Sequence, residues 1–174
     1  MEVVLFNGEI DDLVRLLTEN EWPYHADMSV EENTVRKAVE KGYYADGRET
    51  FWIIEDEEKV GLLIINDIDD TIPLFDLRLA ATTRGKGLGV KALKWMQNYL
   101  FGEKNKIRIE GYTRADNIAM RKCFMKAGFV KEGYLRNAWE NSDGTVSDTV
   151  LYGAIYEDWK NATVTPNRMN EVPY

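Results

Sequence analysis

The segment Leu74–Phe101, LFDLRLAATTRGKGLGVKALKWMQNYLF, constrains this chain more than any other. A strand, PLFDLRLA, runs into Arg84-Gly85-Lys86-Gly87-Leu88-Gly89, and an amphipathic helix is predicted from about Gly87 to Phe101. A strand that hands over to a helix through a short turn predicts a crossover unit, with the next strand, KIRIEGYT, parallel to the first. Glycines permit positive φ and remove side chains, so successive backbone N–H groups can converge on one point. The helix start adds unpaired N–H groups and the positive end of the macrodipole, and Arg84 and Lys86 add full charges. Such a turn suits a phosphate or pyrophosphate. The plain alternative is a tight strand-to-helix turn, but three alternating glycines and two cations exceed what a turn needs.

The rest of the pattern is α+β. Glu9–Leu17 and SVEENTVRKAVEKGYY are predicted helices, the second with Ser29 as N-cap and Glu32 at capping-box distance. TFWIIED and KVGLLIIND read as a hairpin turning at Glu57–Glu58. NIAMRKCFMKAG is a helix closed by Gly128. FVKEGYLRNAW and TVSDTVLYGAIY are late strands joined across Asp143–Gly144. A mixed, mostly antiparallel sheet of about seven strands with about four helices is expected. Residues 1–160 are expected to form a single domain and residues 161–174 an irregular tail.

Composition removes several classes of function. Over 174 residues the net charge is −8, which argues against nucleic acid and anionic membrane surfaces as partners, though a local basic turn can still hold a small anion. An acidic surface also attracts cationic substrates. One cysteine and one histidine make a structural zinc site, or any metal site, unexpected. The missing disulfide framework, with neither a basic leader nor a spanning apolar run, points to a cytoplasmic protein.

Three phosphate loops compete for the turn. The P-loop spacing is absent. Gly87, Gly89 and Ala92 satisfy G-x-G-x-x-[GA], and Glu110 ends the next strand where a ribose-binding acid would sit. A dinucleotide fold usually opens its sheet with this turn, however, and here three strands precede it. RGKGLG after a strand resembles the R/Q-x-x-G-x-G/A pyrophosphate loop of the GNAT superfamily of N-acetyltransferases. RADNIAMRKCFMKAGFVKEG resembles that superfamily's N-x-x-[AS]…K-x-G-F block, matched at Asp116, Asn117, Lys126, Gly128 and Phe129. DTVLYGAIYEDW resembles the branch that includes ribosomal-protein N-terminal acetyltransferases. The resemblance covers roughly residues 3 to 160.

The resemblance implies acetyl-coenzyme A as co-substrate and direct transfer of its acetyl group to a primary amine, on a small molecule or a peptide N-terminus. By that similarity the cofactor would be held by Arg84, Gly85, Lys86, Gly87, Leu88 and Gly89 at the pyrophosphate. The strand Leu77-Arg78-Leu79-Ala80 would splay from its neighbour and present backbone groups of Leu77 and Leu79 to the pantetheine arm and the thioester oxygen. Asn117 would bond the pantetheine or cap the following helix. Many members place a tyrosine two residues before the K-x-G-F lysine; here it is Phe124, which cannot protonate the leaving thiolate. Tyr134, Tyr152 or water could replace it.

The acceptor amine must lose a proton. Asp76, amid apolar neighbours, is a candidate base whose pKa burial should raise, or else it pairs with Arg78. His25 is the second candidate, and Glu110 a third. Trp22, Tyr24, Trp139 and Tyr152 are candidates for the acceptor wall, where aromatic faces can hold an ammonium; the competing reading is that they are core. A non-catalytic acetyl-CoA sensor of the same fold and a dinucleotide-dependent oxidoreductase are the rival functions. Oligomeric state is not legible, and a homodimer is compatible with the sequence.

Overall fold

Two runs are apolar at consecutive rather than alternate positions, 51–54 and 60–65, as strands must be when both faces are covered. The computed structural model describes residues 1–172 and places these runs in β2 (Arg48–Glu55) and β3 (Glu58–Asn66), at the middle of a four-stranded antiparallel sheet. Phe51, Ile53, Leu63 and Ile65 face one core cluster, while Trp52, Leu62 and Ile64 face another. The hairpin turns at Asp56–Glu57, one residue earlier than expected, with φ of 51° and 65°. β1 (Glu2–Leu5) pairs with β2, and β4 (Leu74–Leu79) with β3. The sequence reading missed β1, whose four largely exposed residues carry no alternation.

Two helices cover one face of this sheet, α1 (Ile10–Thr18) and α2 (Glu32–Glu40). The expected Ser29 cap does not form. Glu31 takes the cap position in extended backbone with no side-chain bond, so α2 starts later than a Ser29 box would require. Arg36 instead ties α2 to α1, donating to Glu32 and to Asp11 at 2.8 Å each. The other face packs on α3 (Leu88–Gln97), which passes into a π-helical turn at Asn98–Glu103 rather than continuing as a regular α-helix.

β5 (Arg108–Arg114), β7 (Val146–Ile155) and β6 (Val130–Glu140) form a second antiparallel sheet in the order β5-β7-β6. α4 (Ile118–Lys126) connects β5 to β6, and α5 (Tyr156–Asn161) follows β7. Residues 163–168 continue without helix or strand, anchored where the Thr165 N–H donates to Asp158 at 3.0 Å. The last two residues of the expected tail lie outside the described residues.

β4 and β5 lie in different sheets and splay apart, as the resemblance implies. Among the described residues the backbone hydrogen bonds between them occur at their starts, where Ile107 N–H donates to Thr71 O at 3.3 Å and Glu110 N–H to Pro73 O at 3.2 Å. Both contacts advance in the same direction along each strand, so β4 and β5 begin parallel and then part. Aromatic rings fill the point of divergence. A Cβ at Gly111 would lie 2.5 Å from Phe124 and 3.0 Å from Phe75, so only glycine lets β5 pass them.

Candidate functional site

The split leaves one edge of β4 free. Ala80 N–H donates to Val60 O at 2.8 Å, and antiparallel alternation then turns the backbone groups of Leu77 and Leu79 away from β3, toward the gap. Side chains alternate as well. Asp76 and Arg78 lie opposite Ile64 and Leu62, on the α1/α2 face, and Leu77 and Leu79 lie on the α3 face.

The turn after β4 opens on the same gap. Gly85 and Gly87 hold φ of +77° and +84°, which side chains rarely adopt, and the space beside each is open. Gly89 has a different reason: a Cβ there would meet Cys123 Sγ at 3.1 Å, where α3 crosses α4. The first intrahelical bond of α3 is Lys91 N–H to Gly87 O, so the N–H groups of Leu88, Gly89 and Val90 precede it and can receive an anion. Lys86 is exposed. Arg84 is not a free cation: its Nε donates to Leu79 O at 2.9 Å and its Nη2 to Glu21 O at 2.7 Å.

A cleft of about 540 Å³ runs from this turn along β4 to α4. It is lined by Leu77, Leu79, Arg84, Gly85, Gly87, Leu88, Gly89 and Asn117, all expected at a cofactor site, and also by Trp22, Tyr24 and His25. Lys86 stands outside its wall. Lys122, Lys126, Met120 and Cys123 complete the lining from α4. No motif points to Lys122, although its i, i+4 spacing to Lys126 puts both cations on one helical stripe. Asn117 caps α4, accepting the Met120 N–H at 3.1 Å, and reaches the cleft as well.

The two leading base candidates meet. His25 Nε2 lies 3.0 Å from Asp76 Oδ1, and Arg78 Nε donates to Asp76 Oδ2 at 3.1 Å. Burial pushes the Asp76 carboxyl up, but the His25 hydrogen bond and the Arg78 charge outweigh it and hold the pKa at about 2. The expectation of a raised pKa is therefore wrong: its apolar neighbours in sequence point to the opposite face of β4, and two nitrogens face the carboxylate. With Asp76 ionised, the shared hydrogen sits on His25 Nε2, leaving Nδ1 as the acceptor.

Trp22 holds this corner. Its Nε1–H donates to Leu17 O at 3.0 Å, the guanidinium groups of Arg78 and Arg84 each lie 5.4 Å from its ring, and His25 meets it edge-on. Arg114 lies over Tyr24 at 5.6 Å. The aromatic faces expected to receive a substrate ammonium thus carry the protein's own arginines. Two other acceptor-wall candidates lie away from the cleft. Tyr152 is 1% exposed and stacks on Phe124 at 4.5 Å, and Trp139 pairs with Ser147 on the β6–β7 hairpin. Glu110, the third candidate base, accepts from Arg108 at 2.8 Å, and the hydroxyl of Tyr134, a candidate acid, donates to Asp148. Among the described residues no cluster of three metal-ligating side chains occurs, and no helix is long and apolar enough to cross a membrane.

The family model described as an acetyltransferase (GNAT) domain matches residues 6–130. No curated protein matches the chain. Among solved structures, a chimera of the spermidine N-acetyltransferase SpeG from Vibrio cholerae with hSSAT superposes with a TM-score of 0.77 at 18% identity, covering 92% of this chain and 99% of that one. A dodecameric spermidine N-acetyltransferase from Vibrio cholerae gives 0.75 at 16% identity, covering 92% and 96%. At these identities the likeness is one of fold.

Proposed function

The chain belongs to the acetyltransferase (GNAT) family, and from that premise we propose that it transfers the acetyl group of acetyl-coenzyme A to a primary amine of a small cationic molecule. The observation that carries this reading is the single cleft that joins a glycine-bounded helix start, the free edge of β4 and the His25–Asp76 pair. Acetyl-coenzyme A supplies an activated acetyl thioester. The N–H groups of Leu88, Gly89 and Val90, with Lys86 beside them and Lys122 and Lys126 across the cleft, would hold its phosphates. The gap-facing backbone groups of Leu77 and the N–H of Leu79 would hold its pantetheine arm and acetyl oxygen, the Leu79 carbonyl being taken by Arg84. Residues fit the group: the turn leaves space where side chains would stand, and the N–H groups at the start of α3 precede its first intrahelical bond.

His25 Nδ1 takes the proton of the acceptor ammonium, and Asp76 fixes the imidazole tautomer and faces the charge that forms. Asp76 is the orienting partner rather than the base, because a carboxylate with a pKa near 2 is a poor proton acceptor at neutral pH. Phe124, 1% exposed and stacked on Tyr152, offers no acid, so water protonates the leaving thiolate. A net charge of −8 favours a polyamine, with several positive charges, over a peptide terminus that carries one, in keeping with the spermidine named for the structural neighbours.

A thiol-release assay with acetyl-coenzyme A tests this, using spermidine, a monoamine and a set of peptides with free N-termini. Release should depend on the amine and be fastest with spermidine. Release with peptides alone would overturn the small-amine reading, and no release with any amine would overturn the transfer itself.

A further inference from the structure

We propose that Arg84 and Arg114 are positioning residues for acetyl transfer, holding the α1–α2 connection from either side of the split so that His25 stays on Asp76. This rests on the reading of His25 and Asp76 as the proton-accepting pair.

The connection between α1 and α2 carries Trp22 and His25 but little regular structure. It folds on itself through Trp22 N–H to Met28 O at 2.7 Å and His25 N–H to Trp22 O at 3.0 Å. Those bonds fix the shape of the loop, not its place. Its place comes from outside. Arg84, in the turn after β4, donates to Glu21 O and lies over the Trp22 ring. Arg114, at the end of β5, donates to Pro23 O at 3.3 Å and lies over the Tyr24 ring. The two arginines therefore seize carbonyls two residues apart, on either side of Trp22, from opposite sides of the split, and the loop bridges the gap between them.

Each guanidinium is itself held. Arg84 is braced on Leu79 O, and Arg114 chelates Asp116 at 3.0 and 2.7 Å and donates to Asn141 at 3.0 Å. A planar fork with fixed donors is what places a carbonyl, and lysine could not hold two partners in the same plane. The sequence motif offers Arg84 as a phosphate ligand; its Nε and one Nη2 hydrogen bond are directed elsewhere. Within the turn, the exposed Lys86 is the cation left for the phosphates.

The chain's one histidine makes the test direct, because every imidazole signal in a nitrogen-resolved NMR spectrum belongs to His25. Spectra and acetyl-coenzyme A affinity by calorimetry are compared for wild type, Arg84→Ala, Arg114→Ala and Lys86→Ala, with Arg84→Lys and Arg114→Lys as conservative variants and a melting curve for each. In Arg84→Ala and Arg114→Ala the His25 signals should move while acetyl-coenzyme A affinity stays within about threefold of wild type. The lysine variants should restore them only in part. Lys86→Ala should lower affinity and leave His25 unmoved.

Unmoved His25 signals in either arginine-to-alanine variant would overturn the assignment for that residue, whatever its melting temperature. A loss of affinity beyond threefold in Arg84→Ala would make it a phosphate ligand and overturn its positioning role. Failure of wild type to bind acetyl-coenzyme A would count against the proposed function alone, since the His25 signals still report the loop.

Discussion

Asp76→Asn removes one charge from the His25–Asp76–Arg78 group while keeping size and shape. The folded carboxyl titrates at about 2 against an ordinary 3.8. That difference corresponds to about 2 kcal/mol of folding stability, at 1.36 kcal/mol per pH unit. Because the folded value is depressed, this stabilisation is complete above about pH 4 and is lost as the pH falls toward 2. Wild type and variant should therefore differ by about 2 kcal/mol in urea unfolding at pH 7 and at pH 5, or roughly 4–8 °C in melting temperature for a chain of this size. The gap should narrow below pH 4 and close near pH 2. Turnover should also fall, by roughly 10²–10⁴, because the asparagine amide donates to His25 Nε2 and drives the hydrogen onto Nδ1, where the acceptor's proton would go. A gap that persists at pH 2 would show that the contribution is not electrostatic. Equal stability at pH 7 would show that desolvating Asp76 cancels its two partners, and the reasoning would fail.

Gly87→Val places a branched side chain at φ +84° in the open space of the turn. It should abolish acetyl-coenzyme A binding by calorimetry while lowering stability by about 1–3 kcal/mol. Phe124→Tyr restores the tyrosine of the family's motif, but the ring is buried against Phe129 and Tyr152. We expect no gain in thiol release and a stability loss of about 1–3 kcal/mol from a hydroxyl with no partner, read by urea unfolding.

The glycine turn, the two-faced strands β2 and β3, and the hairpin closed at Gly144 were legible because each is a local rule, of φ, of periodicity or of turn chemistry. The cleft lining from Leu77 to Gly89, Lys86 excepted, came from the resemblance that this segment carries. What the sequence hid depends on which side of a strand a residue faces after the sheets are placed. Asp76 reads as a desolvated acid among leucines, yet those leucines point the other way and His25 arrives from 51 positions upstream. Tyr152 reads as a cleft aromatic, but the strand turns it inward onto Phe124. Arg114 carried no signal at all, since its partners Pro23 and Asn141 are distant in the chain. The rule that joins β4 to β5 gives their direction, while the place where they part depends on Gly111, Phe75 and Phe124 meeting from distant parts of the chain.

The two sheets are also consecutive in the chain. Every strand of the first lies within residues 2–79, and every strand of the second within 108–155. Each can complete its pairings from nearby chain, and on a ribosome the first can close before the second has emerged. The cleft opens where these two sheets part. Amide hydrogen exchange should accordingly report two cooperative blocks, and a molecule seated in the cleft should slow exchange in both, acting as the rung that the backbone itself leaves out.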